Sequence, residues 1–364
     1  MKKILTVVGT RPNFIKITQF HKAFAEQEGI EHKLLHTGQH FDKNMSDVFF
    51  DELKIPEPDF HLGVTSKSVV SQQADIMLGL EKVFNEYKPD LVNVVGDVNS
   101  TFSAAFTAQK MGIKIAHIES GLRSYDRGMA EEINRLLTDE ITDFYFVTEQ
   151  SGYDNLIADC RPKENIFFVG NTMIDTLFAF KNNIAASTIM SDLGVVKGGF
   201  CLVTMHRPAT VDFEEGCQKM IDLLTEATKN YNIVFPIHPR TKKNMEKFGM
   251  YQLLENNPKI HLLGPLGYLD FQNLVSNAAF CLTDSGGIQE ETTYLEVPCI
   301  TLRPNTERPS TTEIGTNTLM DFDVEEVLKV IATITNGSYK KGVIPPLWDG
   351  KASWRIAESI NEVL

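Results

Sequence analysis

Alternation of short apolar runs with amphipathic stretches predicts an α/β protein made of two doubly wound, Rossmann-like parallel-sheet domains. Three observations carry this. First, short apolar runs, several of them β-branched and apolar on both faces, recur at residues 4–8, 33–36, 90–95, 114–118 and 143–147, as a sheet covered on both sides requires. Second, helical stretches such as 14–26 and 69–86 fall between them. Third, the pattern restarts at 200–204, 233–236, 260–263, 279–282 and 299–302. A chain of 364 residues also exceeds one comfortable core. Between the halves, residues 184–199 are small, polar and glycine-rich without a clear period. The boundary is placed just before them, near Asn171, giving domains over 1–170 and 171–351.

Composition narrows the partners. The net charge of −13 argues against a nucleic-acid or anionic-membrane surface, so a polyanionic ligand needs a local site of a few basic residues and backbone amides. The five cysteines have neither CxxC nor metal-ligand spacing, and no His pair has it either, so no metal is expected. Cys201, Cys281 and Cys299 lie in apolar runs and read as buried thiols of a reduced, cytoplasmic protein. The apolar stretch after Met1-Lys2-Lys3 is too short for a signal peptide, and no run approaches membrane-spanning length.

Along the first half, Gly9-Thr10-Arg11-Pro12 follows the first strand. Pro12 suits a first helical turn, which puts Arg11 and Lys16 near a helix N-terminus. Positive side chains oppose the dipole there unless an anion lies between them and the amides; the alternative is two solvated basic residues. The string matches neither a Walker loop nor GxGxxG, which weakens ATP and dinucleotide readings. Asp97 and Glu119 stand at strand ends, and Glu131 lies in the polar segment after Gly121-Leu122-Arg123. Strand ends on one edge of a parallel sheet converge, and clustered carboxylates separate into an acid and a base. The plainer readings are an Asx-type helix cap for Asp97 and an ion pair with Arg135 for Glu131.

In the second half, His206 and His238 each follow a strand, where a histidine can donate to a phosphate, shuttle a proton or simply complete a turn. The segment 283–291, Thr-Asp-Ser-Gly-Gly-Ile-Gln-Glu-Glu, sets Ser285, Gly286 and Gly287 at a strand-to-helix turn. Backbone free of side chains lets an anion approach the helix N-terminus, with Glu290 and Glu291 in reach of a ribose hydroxyl. A tight turn with acidic residues complementing the dipole is the competing reading. Arg308 is either a fork donor to a diphosphate or half of a surface ion pair with Glu307 or Glu313.

Together these segments resemble the non-hydrolysing UDP-N-acetylglucosamine 2-epimerases, bacterial and archaeal enzymes with a GT-B-like fold. The matching strings are Gly9 to Pro12, His36 to His40, Gly96-Asp97, His117 to Arg123, Glu131 to Arg135, Gly170 to Asp175, His206-Arg207, Thr283 to Glu291, Thr306 to Pro309 and Asp349 to Ser353. They run in family order along essentially the whole chain. The resemblance implies an active site in the cleft between the domains, a final segment 352–364 that crosses back to the first domain, and a homodimer. It implies C2 epimerisation of UDP-GlcNAc to UDP-ManNAc without a nicotinamide or metal cofactor, supplying surface polysaccharide precursors. UDP would be eliminated to leave 2-acetamidoglucal and then re-added. By motif, Asp97, Glu119 and Glu131 supply the acid/base set, and His206 handles the leaving group or a proton. Arg11, Lys16, Ser285, Gly286, Gly287 and Arg308 hold the phosphates, Glu291 the ribose, and Phe271 the uracil. Domain closure would retain the glucal.

Departures from the family pattern bear on detail. The segment 39–42 lacks the second glutamine of the allosteric substrate site, so activation there is not expected. Ser120, Val98 and Pro208-Ala209-Thr210 replace the usual residues without removing a proposed catalytic group. Relatives acting on UDP-2,3-diacetamido-glucuronate share the His-Thr-Gly-Gln-His-Phe-Asp segment, but Thr306-Glu307-Arg308-Pro309 favours UDP-GlcNAc. A UDP-sugar glycosyltransferase is the rival on the same fold; its chemistry requires fewer carboxylates than this chain offers.

Overall fold

A computed structural model describes residues 1–38, 52–66 and 68–364. The segment 39–42 lies outside the described residues. The chain divides into two compact units, one of residues 1–179 with 346–364 and one of residues 180–345.

The first unit holds a seven-stranded parallel sheet: β1 Lys2–Val8, β2 Ile30–His36, β3 Phe60–His61, β4 Leu91–Val95, β5 Lys114–Ile118, β6 Phe144–Val147 and β7 Ile166–Phe168, in the order β3-β2-β1-β4-β5-β6-β7. Its central strands are the apolar runs read from the sequence; every residue of β4 is buried. Helices Val69–Tyr87 and Asn99–Lys110 cover it, with Ile76, Leu80, Phe84, Ala104 and Ala108 packed onto Leu5, Val92 and Val94. The second unit repeats the plan with β8 Phe200–Thr204, β9 Asn232–Pro236, β10 Ile260–Leu263, β11 Phe280–Thr283, β12 Cys299–Leu302 and β13 Asn317–Met320, ordered β10-β9-β8-β11-β12-β13. Cys281 and Cys299 are register partners in one core cluster of this sheet and Cys201 is buried in the other, and burial pushes all three thiols up. Among the described residues, no helix is long and apolar enough to cross a membrane.

The structure departs from expectation at the margins. Strands β3, β7 and β13 were not anticipated; each is an edge strand only partly buried, so its apolar signal is weak. The helix expected over 14–26 is two helices, Arg11–Ile17 and Phe20–Ala25. At the break, the Thr176 hydroxyl donates to the Ile15 carbonyl, an acceptor the ladder would otherwise use, and lies 2.6 Å from the Thr18 hydroxyl. The stretch 184–199 is not aperiodic throughout: helix Thr172–Ala185 runs into it and helix Ile189–Leu193 follows.

Helix Ala352–Val363 belongs to the first unit and buries Ile356, Ala357 and Ile360. Its N-terminus is capped from far along the chain. The Asp175 carboxylate accepts from the Ala352 and Ser353 backbone N–H groups and from the Ser353 hydroxyl. Nearby, the Trp348 indole donates to the Thr148 carbonyl. Gly170 has a φ of 87°, and a Cβ there would sit 2.1 Å from the Leu347 carbonyl oxygen, so only glycine fits. The Gly170-to-Asp175 string is thereby accounted for as the anchor of the returning segment.

Burial lifts the Asp175 carboxyl to about 6, despite the lowering pull of its Ser353 and Ala352 donors. A raised acid stabilises the fold most where it is protonated in both states. Its contribution is therefore complete below about pH 4 and is lost as pH rises towards 6, by about 3 kcal/mol at most. The difference in unfolding free energy between the wild type and Asp175→Asn should fall across that window and stay flat above it; a difference constant from pH 4 to 7.5 in denaturant titrations refutes the assignment.

Candidate functional site

In each sheet the strand order reverses once, between β1 and β4 and again between β8 and β11. Helices following such neighbours depart to opposite faces, leaving a crevice at the carboxyl ends of the strands. Several residues singled out from sequence, among them Lys16, Asp97, Glu119, His206 and Ser285–Gly287, lie at the strand ends around these two points.

In the first unit, Asn13 ties the crevice together. Its side-chain oxygen accepts from the Gly9 and Thr10 backbone N–H groups and the Thr10 hydroxyl, and its amide donates to the Val95 carbonyl at the end of β4. Arg11 opens helix Arg11–Ile17, with Pro12 in the first turn. Lys16, buried on the same helix, donates to the Glu119 carboxylate. Glu119 ends β5 in the left-handed region, with a φ of 67°, a conformation that costs a side-chain-bearing residue about 1 kcal/mol or more. The neighbouring carboxylate is Asp97, and its surroundings differ: its side chain is 25% exposed against 2% for Glu119, and its partner is Arg135 Nη2 at 2.6 Å. Two carboxylates on adjacent strand ends are thus held by different cations in different degrees of burial.

Both plainer readings of these acids fail. Helix Asn99–Lys110 starts after Val98 with no side-chain cap, so Asp97 is not an Asx cap. Arg135 pairs with Asp97 and with Glu132, while Glu131 points outward, exposed, from the first turn of helix Ala130–Ile141. Glu132, which the sequence reading passed over, is buried and accepts from the Ser124 N–H and hydroxyl and the Tyr125 N–H. Beneath the site, His117 sets Nδ1 2.7 Å from Asp139 and Nε2 2.8 Å from the Gly96 carbonyl. Burial would raise Asp139, but His117 and Arg123 outweigh it and hold the carboxyl below the usual range.

In the second unit, Asp284 is the organiser. Fully buried after β11, it accepts from the backbone N–H groups of His206 and Arg207 after β8. Its carboxylate also lies 3.0 Å from His206 Nδ1, which turns Nε2 of this 40% exposed side chain outward. Burial pulls Asp284 up, but the His206 imidazole and the two N–H groups hold it below the ordinary value. The His238 ring lies 5.4 Å from that of His206, lowered first by burial and then by His206 and Arg240. Ser285, Gly286 and Gly287 form the turn into helix Gly287–Tyr294, capped at Gly286. Glu290 and Glu291 are both buried in that helix.

Arg308 is not in a surface pair. It is buried, with Nε 2.6 Å from Glu290 and Nη1 2.6 Å from Glu307. Glu307 also takes Arg303 Nη2 at 3.0 Å. The Arg308–Glu307 pair was among the expectations, but as a surface pair rather than a buried one; Arg303 was not legible beforehand, because it reads as the polar end of a strand. Phe271, on helix Tyr268–Asn277, packs partly buried against the Leu274–Val275 side of the core. Among the described residues no cluster has the makings of a metal site.

The two units and their switch-point turns define a GT-B-like α/β protein. Comparison with known proteins sharpens this. The family model for UDP-N-acetylglucosamine 2-epimerase matches residues 22–361. The UDP-N-acetylglucosamine 2-epimerase of Methanocaldococcus jannaschii is 39% identical over 99% of both chains. A crystal structure of that organism's enzyme in complex with UDP-GlcNAc and UDP has a TM-score of 0.90, covering 99% of each chain at 37% identity. The UDP-2,3-diacetamido-2,3-dideoxy-D-glucuronate 2-epimerase of Pseudomonas aeruginosa is 36% identical over 99% of this chain and all of its own. A lipopolysaccharide outer core galactosyltransferase, at 13% identity and TM-score 0.56 over the full length of both chains, shares the fold alone. The chain belongs to the UDP-N-acetylglucosamine 2-epimerase family.

A Cβ at Gly286 would lie 2.9 Å from Glu307 Oε1; that carboxylate takes Arg308 on Oε1 and Arg303 on Oε2 and is not free to swing away. Gly286→Ala should therefore destabilise the second unit by about 1–3 kcal/mol. Chemical denaturation measures this, and an unchanged midpoint would mean that the Glu307 network gives way freely.

Proposed function

We propose that the protein interconverts UDP-GlcNAc and UDP-ManNAc by inversion at C2 of the sugar. The reading rests on one observation beyond family membership: Asp97 and Glu119 end adjacent strands, one partly exposed beside Arg135 and the other buried beside Lys16. Environments that differ in this way suit one acid and one base. A base removes the C2 proton as the C1–O bond breaks and its electron pair leaves with UDP, giving 2-acetamidoglucal. Protonation of C2 on the opposite face and return of UDP to C1 complete the inversion. Asp97, Glu119 and Glu131 form the acid/base set. His206, its Nδ1 turned to Asp284, presents Nε2 to the departing phosphate.

Arg11, Lys16, Ser285, Gly286, Gly287 and Arg308 are assigned to the diphosphate, Glu291 to the ribose and Phe271 to the uracil. A phosphate beside Lys16 competes with Glu119 for its ammonium, linking nucleotide binding to the carboxylate. We further assign the protein a homodimeric state and a place in the supply of surface polysaccharide precursors. The second reading, C2 epimerisation of a UDP-2,3-diacetamido-glucuronate, is favoured by the similarity to the Pseudomonas aeruginosa relative.

The test is NMR of the purified protein with each UDP-sugar in D2O. Deuterium at C2 and new UDP-ManNAc signals are expected from UDP-GlcNAc. Faster exchange of the diacetamido-glucuronate sugar would move the assignment to the second reading. Free UDP and ManNAc rising in step would indicate hydrolysis, and a spectrum that changes only on addition of an acceptor would indicate glycosyl transfer. In the same assay Asp97→Asn should lower turnover by about 10²- to 10⁴-fold while UDP binding is retained; wild-type turnover would remove Asp97 from the chemistry.

A further inference from the structure

Arg303, at the end of β12, is a cation that the second unit leaves underpaired. The residue is 2% exposed. Its Nη2 donates to Glu307, but Nε and Nη1 are buried without a hydrogen-bond partner among the described residues. Its one carboxylate partner is shared with Arg308, and Arg303 also faces the like charges of Arg308 and Arg207. A guanidinium has no neutral form to retreat to, so donors buried in such company carry a cost that an anion would relieve.

One of these donors, Nη1, lies at the glycine turn. Arg303 Nη1 lies 3.7 Å from the place a Cβ would occupy at Gly286, the cap of helix Gly287–Tyr294. The helix N-terminus favours negative charge at the same spot. Glu307 reaches the turn as well, with Oε1 2.9 Å from that place, but its charge is already divided between Arg303 and Arg308.

We propose that Arg303 binds the nucleotide diphosphate, donating from Nη1 to a phosphate oxygen held at the Ser285–Gly287 turn. This rests on the UDP-sugar reading above. Arg303 and Arg308 then act as a pair of guanidinium groups braced by Glu307, which holds both planes while their remaining donors face the phosphates.

Arg303→Met keeps the bulk and removes the charge. Calorimetry with the full-length protein should find UDP bound at least tenfold more weakly than by the wild type. Uridine, which has no phosphate, should bind both proteins alike in ligand-observed NMR. UDP affinity within twofold of wild type overturns the proposal, and so does an equal loss of UDP and uridine, the signature of a merely structural role. Should the loss of one of Glu307's two guanidinium partners prevent folding, the double variant Arg303→Met with Glu307→Gln removes the carboxylate charge as well, and the same tenfold criterion applies to it. A wild-type protein that binds no UDP sinks the parent reading, whereas binding left intact in a folded variant sinks only the role of Arg303.

Discussion

Each sheet has one place where neighbouring parallel strands send their chains to opposite faces, and the backbone there cannot be satisfied by another strand or a shared helix. A single buried side chain meets that demand in each unit. Asn13 reaches from the loop after β1 to the end of β4, satisfying the Gly9 and Thr10 N–H groups and the Val95 carbonyl. Asp284 reaches from the end of β11 to the loop after β8, satisfying His206 and Arg207. The positions of Lys16, Asp97 and His206, and of the Ser285–Gly287 turn, follow from these two closures, because each sits within a few residues of a closed loop. Both units thus solve the same backbone problem, one with a neutral amide and the other with a charged carboxylate that also orients an imidazole.

Much of this was legible in the sequence where the signal is local. Interior strands are continuous apolar runs, and all ten expected runs overlap strands of the structure. Of the four edge strands, β10 was read but β3, β7 and β13 escaped, being short or only partly buried with mixed composition. At the site, residue types at strand ends could be read, but their partners could not. Lys16 and Glu119 are 103 residues apart, and Asp97 and Arg135 are 38 apart. Only the strand order brings them together, and no spacing rule encodes that order. The reading of Glu131 against Arg135 erred for a related reason. Spacing of four residues offers an ion pair, but Arg135 faces inward to Asp97 and Glu132, and Glu131 faces outward.

The buried ion pairs are better understood as a means of fixing geometry than as a source of stability. Desolvating a carboxylate and a guanidinium costs several kcal/mol per ion, which their attraction repays only with full hydrogen bonding. The second unit nonetheless buries Arg303, Arg308, Glu290 and Glu307 within one network. The first buries Asp139 with His117 and Arg123 directly under the Gly96 carbonyl. Apolar residues would pack both places at lower cost. They would not hold the Gly96–Asp97 turn or the two guanidinium planes in one orientation.

The first unit is closed by residues 346–364, far along the chain from its opening strands. Asp175 waits for Ala352 and Ser353, Gly170 for Leu347, and the Thr148 carbonyl for Trp348, while residues 180–345 form a complete unit in between. Translation runs from the N-terminus, so the inserted unit leaves the ribosome entire before the unit that was begun first can be finished. During that interval the face later covered by Ile356, Ala357 and Ile360 stands open, and the protein depends on its final twelve-residue helix to close it. Removing residues 352–363 therefore does more than shorten the chain. It leaves the older half of the protein without its cover, and makes that nascent half, not the younger one, the natural client of a chaperone.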